Sequence, residues 1–296
     1  MDYSALIVTS NQKRALKRAI DSVLRQNQLP NEFIIIDNNS KDGTAELLRE
    51  YKTKYDFFRI FKSKINLGTC TGINIGVKLA KNSIIYNMDH DSELEQENWI
   101  ELAFDKLQKK RIALVWGTSN KGNNPKFTYD NFIGSAILFK KDIYLDVGGF
   151  PDDFFIYDNE LDLTVRYYIA GYYPYFYPKL DVKHGLPPEE QSIPGKKGRM
   201  YIYYDLSNRL FLYWKYYPFY FAIILSILHF IRVMTNYTKY FREYFEPFRG
   251  LKRFFSLFYV NVRRQRKLLP LNRSLKICYQ QQFPTPVYWL LKKLYR

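Results

Sequence analysis

Ser83-Ile84-Ile85-Tyr86-Asn87-Met88-Asp89-His90-Asp91 is a run of β-forming residues that stops in two carboxylates. Its first six residues read as a strand, since branched and aromatic side chains suit a pleated, buried surface. Asp89 and Asp91 stand at i and i+2 on a chain just leaving that strand. Such a pair can hold one hard cation through oxygen while leaving room for phosphate oxygens. Carboxylate and water ligation suits both Mg²⁺ and Mn²⁺. Asp-x-Asp alone is a common tripeptide, and its position at a strand end is what gives it weight.

Working outward, the same arrangement recurs. Ala5-Leu6-Ile7-Val8 reads as a buried strand ending at Thr9-Ser10-Asn11, and Phe33-Ile34-Ile35-Ile36 as a second ending at Asp37-Asn38-Asn39-Ser40. Between them Leu16, Ala19, Ile20, Val23 and Leu24 recur at helical spacing. Asp42-Gly43 is a turn before a helix running to about Tyr51, and a third strand covers Phe57 to Phe61. A helix from about Thr71 to Ala80 leads back to the opening stretch. Beyond it we expect a helix over Gln96–Lys109, strands at Ile112–Trp116 and Gly134–Phe139, a helix Asn159–Ala170 and an aromatic strand Tyr173–Tyr177. Strands alternating with helices predict an α/β fold, a Rossmann-like, mostly parallel sheet with helices on both faces. In such sheets ligands sit beyond the carboxyl ends of the strands. Three strand ends then bring polar or acidic groups to one rim.

Between the third and fourth strands lies Asn66-Leu67-Gly68-Thr69-Cys70-Thr71-Gly72-Ile73-Asn74-Ile75-Gly76. Its glycines recur every four residues, unlike the dinucleotide fingerprint, and no Gly-Lys-Ser/Thr follows, unlike a P-loop. These spacings speak against a dehydrogenase or a kinase.

Charge divides the chain. It has 45 Lys+Arg against 29 Asp+Glu, a net +16, and nearly all of the excess lies between Arg199 and Arg296. Aromatics crowd the same region, from Tyr201 through Tyr220. A basic aromatic surface can meet nucleic acid or the anionic face of a membrane. No zinc pattern and no RNA-binding motif is seen, so nucleic acid is not the expected partner. Phe219 to Ile231 is almost continuously apolar but far shorter than the roughly 20 residues a membrane span needs. It reads as an interfacial or re-entrant helix, with a buried helix packed on the catalytic domain as the alternative. Tyr237 to Val260 mixes Phe, Tyr and Leu with Lys and Arg, as a helix in the headgroup layer would. Glu189–Gly198 reads as a loop. Cys70 and Cys278 make no metal spacing, and Met1-Asp2-Tyr3 lacks a signal-peptide pattern. The expected location is the cytoplasm, peripheral on the inner face of the cell membrane. The expected domains are residues 1–198, catalytic, and 199–296, a helical, basic, membrane-surface extension.

Taken in order, Ile7-Val8-Thr9-Ser10-Asn11, the run Ile35 to Thr44, the run Asn66 to Gly76 and Met88-Asp89-His90-Asp91-Ser92 resemble the family-2 inverting glycosyltransferases of the GT-A fold. Val147-Gly148-Gly149-Phe150 followed by Phe154 to Arg166 is similar to their acceptor-side block, and Val182-Lys183-His184 to the histidine segment after it. The likeness runs from Ala5 to about Pro218. Around Tyr203–Pro218, with Asn208-Arg209, it is nearest in look to the rhamnosyltransferase and galactofuranosyltransferase branches.

That resemblance implies roles by position. Thr9, Asn11, Asp37, Asn66 and Gly68 would line the nucleotide-sugar pocket, with Asp37 accepting from the base imide. Asp89 would face the ribose and the metal, Asp91 would ligate the metal, and His184 would be a third ligand. The family usually carries an acidic pair where this chain has Asn159-Glu160, so the general base falls to Glu160, with Asp162 and Asp158 behind it. The implied activity is inverting, metal-dependent (Mn²⁺ or Mg²⁺) transfer from dTDP-rhamnose or a UDP-sugar. The implied acceptor is polyprenyl-diphosphate-linked or another glycan, in cell-surface polysaccharide synthesis. A non-catalytic sugar-nucleotide-binding or scaffolding role is the alternative, and a homo-oligomer is left open.

Overall fold

The computed structural model describes residues 1–120, 132–185, 194–237 and 245–259. Its contacts divide the chain into two units, Met1–Phe155 with Asn159–Glu189, and Ile156–Asp158 with Glu190–Arg296.

The first unit is built on one sheet of eight strands. β1 (Ser4–Thr9), β2 (Glu32–Asp37), β3 (Phe58–Lys62) and β4 (Ile84–Asp89) alternate with α1 (Lys13–Leu24), α2 (Thr44–Lys54) and α3 (Gly68–Leu79). After β5 (Ser92–Leu94) come α4 (Trp99–Leu107), β6 (Ile112–Ser119), β7 (Ala136–Lys140), α5 (Lys141–Asp146), α6 (Asn159–Ile169) and β8 (Tyr173–His184). The strand order is β3-β2-β1-β4-β7-β6-β8-β5. Helical crossovers force β1, β2, β3 and β4 to run parallel. β7 runs antiparallel to both β4 and β6, and β5 antiparallel to β8. The sheet is therefore mixed, an α/β fold of the expected kind with its parallel half at the amino end.

β1 and β2 are buried along their whole length, which is why they read as unbroken apolar runs. Tyr3, Ile7, Leu16, Ile20, Phe33, Ile35, Tyr86 and Trp99 form the heart of the core. On another line of contact, α3 lies so close to β1 that a Cβ at Gly76 would stand 2.2 Å from Leu6 and one at Gly72 2.7 Å from Val8. The four-residue glycine spacing thus serves helix-on-strand packing.

Several boundaries depart from expectation. β5 and α5 are too short to carry a periodic signal, and neither is legible in the sequence. The strand expected at Gly134 begins at Ala136, and the strand expected to end at Tyr177 continues to His184. Two irregularities in its pairing with β6 let one strand bend from that partner toward β5.

The second unit is helical. α7 (Pro194–Tyr216) stops two residues short of Pro218, which lacks an N–H and stands at the N-cap of α8 (Phe219–Arg232). A π-helical turn, Val233–Tyr237, follows, and α9 (Glu246–Phe258) packs along α7. Residues 194–198, read as part of a loop, are the opening of α7 instead, while 189–193 lie outside the described residues. The apolar run from Phe219 is α8, and of the headgroup helix expected from Tyr237 to Val260 the described part is α9. Cys278 lies outside the described residues. Among the described residues no helix is long and apolar enough to cross a membrane.

Candidate active site

β4 ends at Asp89, and the chain turns at once into β5. β5 pairs with the last residues of β8 in a register that sets Ser92 opposite His184. That pairing brings an imidazole from far along the chain to the carboxylate pair. His184 Nε2 lies 3.5 Å from Asp89 Oδ2 and 3.5 Å from Asp91 Oδ1. One ligating atom from each of Asp89, Asp91 and His184 falls within 4.8 Å of the others.

The backbone around this cluster is held on every side. Asp89 N–H donates to the Ser135 carbonyl at 3.1 Å, and Gly185 N–H to the Asp91 carbonyl at 2.9 Å. Asn120 brackets His184, accepting from its N–H and donating to its carbonyl, each at 2.8 Å. Burial and the adjacent Asp91 charge push the Asp89 carboxyl upward, and His184 opposes them. Two carboxylates crowded together are a poor arrangement for bare protein and a good one around a cation. The donor set, two carboxylates and an imidazole, fits a divalent ion, and the imidazole suits Mn²⁺ better than Mg²⁺.

Glu160 stands in the first turn of α6. Burial is the main cause raising its carboxyl to about 7; the Asp89 charge raises it too, and a hydrogen bond from the Gly134 N–H works the other way. A Cβ on Gly134 would sit 2.8 Å from Glu160 Oε1. That glycine, which sequence reasoning missed, leaves the room the carboxylate occupies.

Asp162 does not join this group. It is fully buried and accepts from Arg166 Nε at 2.7 Å, with Arg166 Nη2 at 2.5 Å, while Arg166 also donates to the Val147 carbonyl. Its carboxylate braces α6 against the turn before Phe150. Asp158 is likewise engaged, with Arg209 Nε 2.7 Å from its Oδ1.

The other residues singled out lie along the parallel strand ends. Thr9 and Asp37 are partners in the β1–β2 register, both buried. Asp37 Oδ1 caps the Ser40 N–H at 2.9 Å, and the buried Thr9 hydroxyl finds no hydrogen-bond partner among the described residues. Asn11, in the left-handed region at φ 54°, accepts from the Lys41 N–H at 2.7 Å. Asn66 Oδ1 accepts from the Gly68 N–H at 2.9 Å. Gly68 has φ +78° and packs so near Phe155 that a Cβ would meet its ring at 2.7 Å. Asn38, to which the sequence assigns no role, donates to the Gly68 carbonyl at 3.0 Å and ties the second strand end to α3.

A mixed sheet whose rim gathers an Asp-x-Asp pair and a histidine is of the GT-A kind. The Glycosyl transferase family 2 profile matches residues 4–172, and the chain belongs to that family. Among curated proteins it is similar to glycosyltransferase AglE of Haloferax volcanii, 24% identical over 190 residues, 57% of this chain and 62% of AglE. It is also similar to a poly-beta-1,6-N-acetyl-D-glucosamine synthase of Staphylococcus epidermidis, 26% identical over 51% of this chain and 42% of that one. The chain thus spans under two thirds of the length of these relatives. Among solved structures it resembles the mannosyltransferase PcManGT from Pyrobaculum calidifontis in complex with GDP-Man and Mn²⁺, with a TM-score of 0.60, 12% identity and 86% of each chain covered. Residues 1–349 of S. aureus TarS superpose with a TM-score of 0.57 at 13% identity, covering all of this chain and 91% of that fragment.

Proposed function

We propose that this glycosyltransferase moves a sugar from a nucleotide diphosphate to a glycan acceptor on a lipid carrier, with inversion at the anomeric carbon and with a divalent metal. The observation that carries the reading is the convergence of Asp89, Asp91 and His184 on one point, with Glu160 close enough to feel the charge of Asp89. Metal ligands and a base that share one field are what a single displacement requires.

Asp89, Asp91 and His184 would hold the metal, Mn²⁺ in preference to Mg²⁺. A cation there supplies positive charge against the departing diphosphate, worth several kcal/mol. Thr9, Asn11, Asp37, Asn66 and Gly68 would bind the nucleoside. The unpartnered Thr9 hydroxyl is a donor waiting for a ligand acceptor. Glu160 takes the proton of the acceptor hydroxyl as that oxygen attacks from the face opposite the leaving group. Its raised carboxyl matches a base working near neutral pH. Attack in line inverts the sugar and needs no covalent intermediate. The mannosyltransferase neighbour was solved with GDP-Man and Mn²⁺, which supports the donor class, and the Staphylococcus synthase supports polysaccharide as the product class.

Residues 1–198 would form the catalytic domain and 199–296 a membrane-surface extension. Support comes from α8 and α9. Phe219, Tyr220, Ile224, Ile227 and Ile231 on or beside one helix, and Phe245, Phe248, Phe255 and Tyr259 along the other, are all at least half exposed. Phe230 and Phe248 pack at 6.0 Å and join the two rows. With the basic balance of the region, these rows suit an anionic leaflet, cytoplasmic in orientation.

Glu160→Gln should lower turnover by about 10²–10⁴-fold, the usual worth of general-base help, and leave donor affinity nearly intact. Asp91→Ala should abolish Mn²⁺-dependent donor binding in calorimetry. A panel of nucleotide sugars with Mn²⁺ identifies the donor. Wild-type turnover in Glu160→Gln removes the base. Binding of donor without any turnover across acceptors favours the non-catalytic alternative.

A further inference from the structure

The run Asn66–Gly76 carries a polar residue that helix-on-strand packing does not explain. Asn74 is buried on α3, and its side chain engages the loop that follows α5. Its Oδ1 accepts from the Phe150 N–H at 3.0 Å and from the Tyr144 hydroxyl at 2.5 Å. Its Nδ2 donates to the Phe150 carbonyl at 2.8 Å and to Asp152 Oδ1 at 2.7 Å. A buried amide is costly unless its polar atoms are paired, and here both ends of it are. The loop can come this close because residue 149 is a glycine at φ +64°, where a Cβ would stand 2.7 Å from Asn74 Oδ1.

The same stretch of chain is fastened to α3 a second time. The Thr69 N–H donates to the Phe155 carbonyl at 3.0 Å. Beside it, a Cβ at Gly68 would stand 2.7 Å from the Phe155 ring and 2.8 Å from its carbonyl oxygen. Residues 150–155 are thus anchored to α3 at both ends, by Asn74 and by Gly68-Thr69. Those anchors lie about 9 Å apart along the helix, at 1.5 Å of rise per residue. The second anchor is also where the nucleotide-side residues meet. Asn66 Oδ1 accepts from the Gly68 N–H, and Asn38 Nδ2 donates to the Gly68 carbonyl. All of these residues belong to the first unit.

We infer that Asn74 is a positioning residue for donor binding: by seating residues 150–155 on α3 it holds the Phe155 ring against Gly68 and so sets one wall of the nucleotide pocket. The inference rests on the proposed role of Asp37 and Gly68 in that pocket. Asn74 touches no substrate in this reading and acts through the chain from Phe150 to Phe155. A short segment anchored at one end samples more conformations than one anchored at both, so losing Asn74 lowers the fraction of molecules with Phe155 seated. If that fraction falls to about a tenth, apparent donor affinity falls about 10-fold. A clamp that served stability alone would lower Tm and leave the affinity of the folded protein unchanged.

The test uses the full chain with Mn²⁺ and, as calorimetric probes, UDP, dTDP and GDP, followed on whichever binds most tightly. Asn74→Ala should weaken binding about 10-fold. Amide exchange at Thr69 should quicken in the same variant, since the Phe155 carbonyl is its partner. Asp152→Ala, at an exposed position, removes one of the Asn74 contacts without opening the core. It should move both readouts the same way by less, and it serves in place of Asn74→Ala should that variant fail to fold. The decisive comparison is in the Phe155→Ala background. A residue that acts through the Phe155 ring has nothing left to position there, so adding Asn74→Ala or Asp152→Ala should cost no further affinity. Additive losses, or wild-type affinity in the folded single variants, overturn the inference while leaving the pocket in place. Wild-type affinity in Asp37→Ala, or no binding of any probe by the wild-type protein, overturns the pocket reading and this inference with it.

Discussion

Glu160, the proposed base, owes its room to a missing atom. A Cβ at Gly134 would stand 2.8 Å from Oε1, too close for both, and the Gly134 N–H donates to the carboxyl. Gly134→Ala should therefore displace the carboxylate and lower kcat by about 10²-fold, as small errors of alignment do, while donor affinity stays as it was. Steady-state kinetics beside calorimetry separates the two. The carboxyl also sets a pH dependence. Burial first, and Asp89 next, raise it to about 7. A base works only when deprotonated, so kcat/KM should climb with pH through a limb near 7 and flatten above it. The limb should fall below 7 when a cation offsets the Asp89 charge, so profiles at low and saturating Mn²⁺ should differ in that direction. At this scale Asp89 and Asp91 could be read from their place at a strand end, while His184 and Glu160 come only with the family resemblance; the structure brings ligating atoms of Asp89, Asp91 and His184 within 4.8 Å of one another. Gly134 and Asn120 could not be read. Each matters because of what another segment places next to it, and nothing in the local sequence of either records that neighbour. Asp162, a fallback base on the resemblance alone, has its carboxylate paired with Arg166 one turn along.

The elements divide in the same manner. β1, β2 and β4 declare themselves through long apolar runs, and α1 through its periodic stripe, because burial on both faces of a strand or one face of a helix writes a pattern into composition. β5 has three residues, too few for any period, and yet it sets the His184 register. The end of β8 is obscured by Pro178 and by the alternation of partly exposed residues along it. The contact of α3 with β1 carries its own prediction. Gly76→Val would drive side-chain carbons into Leu6, since even a lone Cβ there would stand 2.2 Å from it, and overpacking of this kind costs about 1–3 kcal/mol. Chemical denaturation should register a lower midpoint. An unchanged midpoint would mean that α3 moves off the strand freely.

Across the described residues, nine of the fifteen exposed large apolar side chains fall between Phe219 and Tyr259. The basic excess of the carboxyl third is evident from composition, but which face would carry the apolar rows is not, because α8 is apolar nearly all round and only packing on α7 decides what remains outside. Ile224→Glu with Ile227→Glu should abolish flotation with anionic vesicles while leaving transfer to a water-soluble acceptor intact. Raised salt should weaken the wild-type protein's flotation, since headgroup attraction is screened over about 8 Å at physiological ionic strength. Flotation indifferent to both changes would move the lipid contact elsewhere.

The pairing of β5 with the tail of β8 has a consequence for how the enzyme comes into being. A ribosome that has delivered Asp91 has supplied both acids, but the imidazole arrives only after α4, β6, β7 and α6 have been made. Closing that edge joins distant stretches of chain, a step that is intrinsically slow. The newborn protein thus passes through a stage with its first four parallel strands complete and His184 still untranslated, so the three-residue cluster proposed to hold a metal is completed near the end of the sheet's assembly and not at its start.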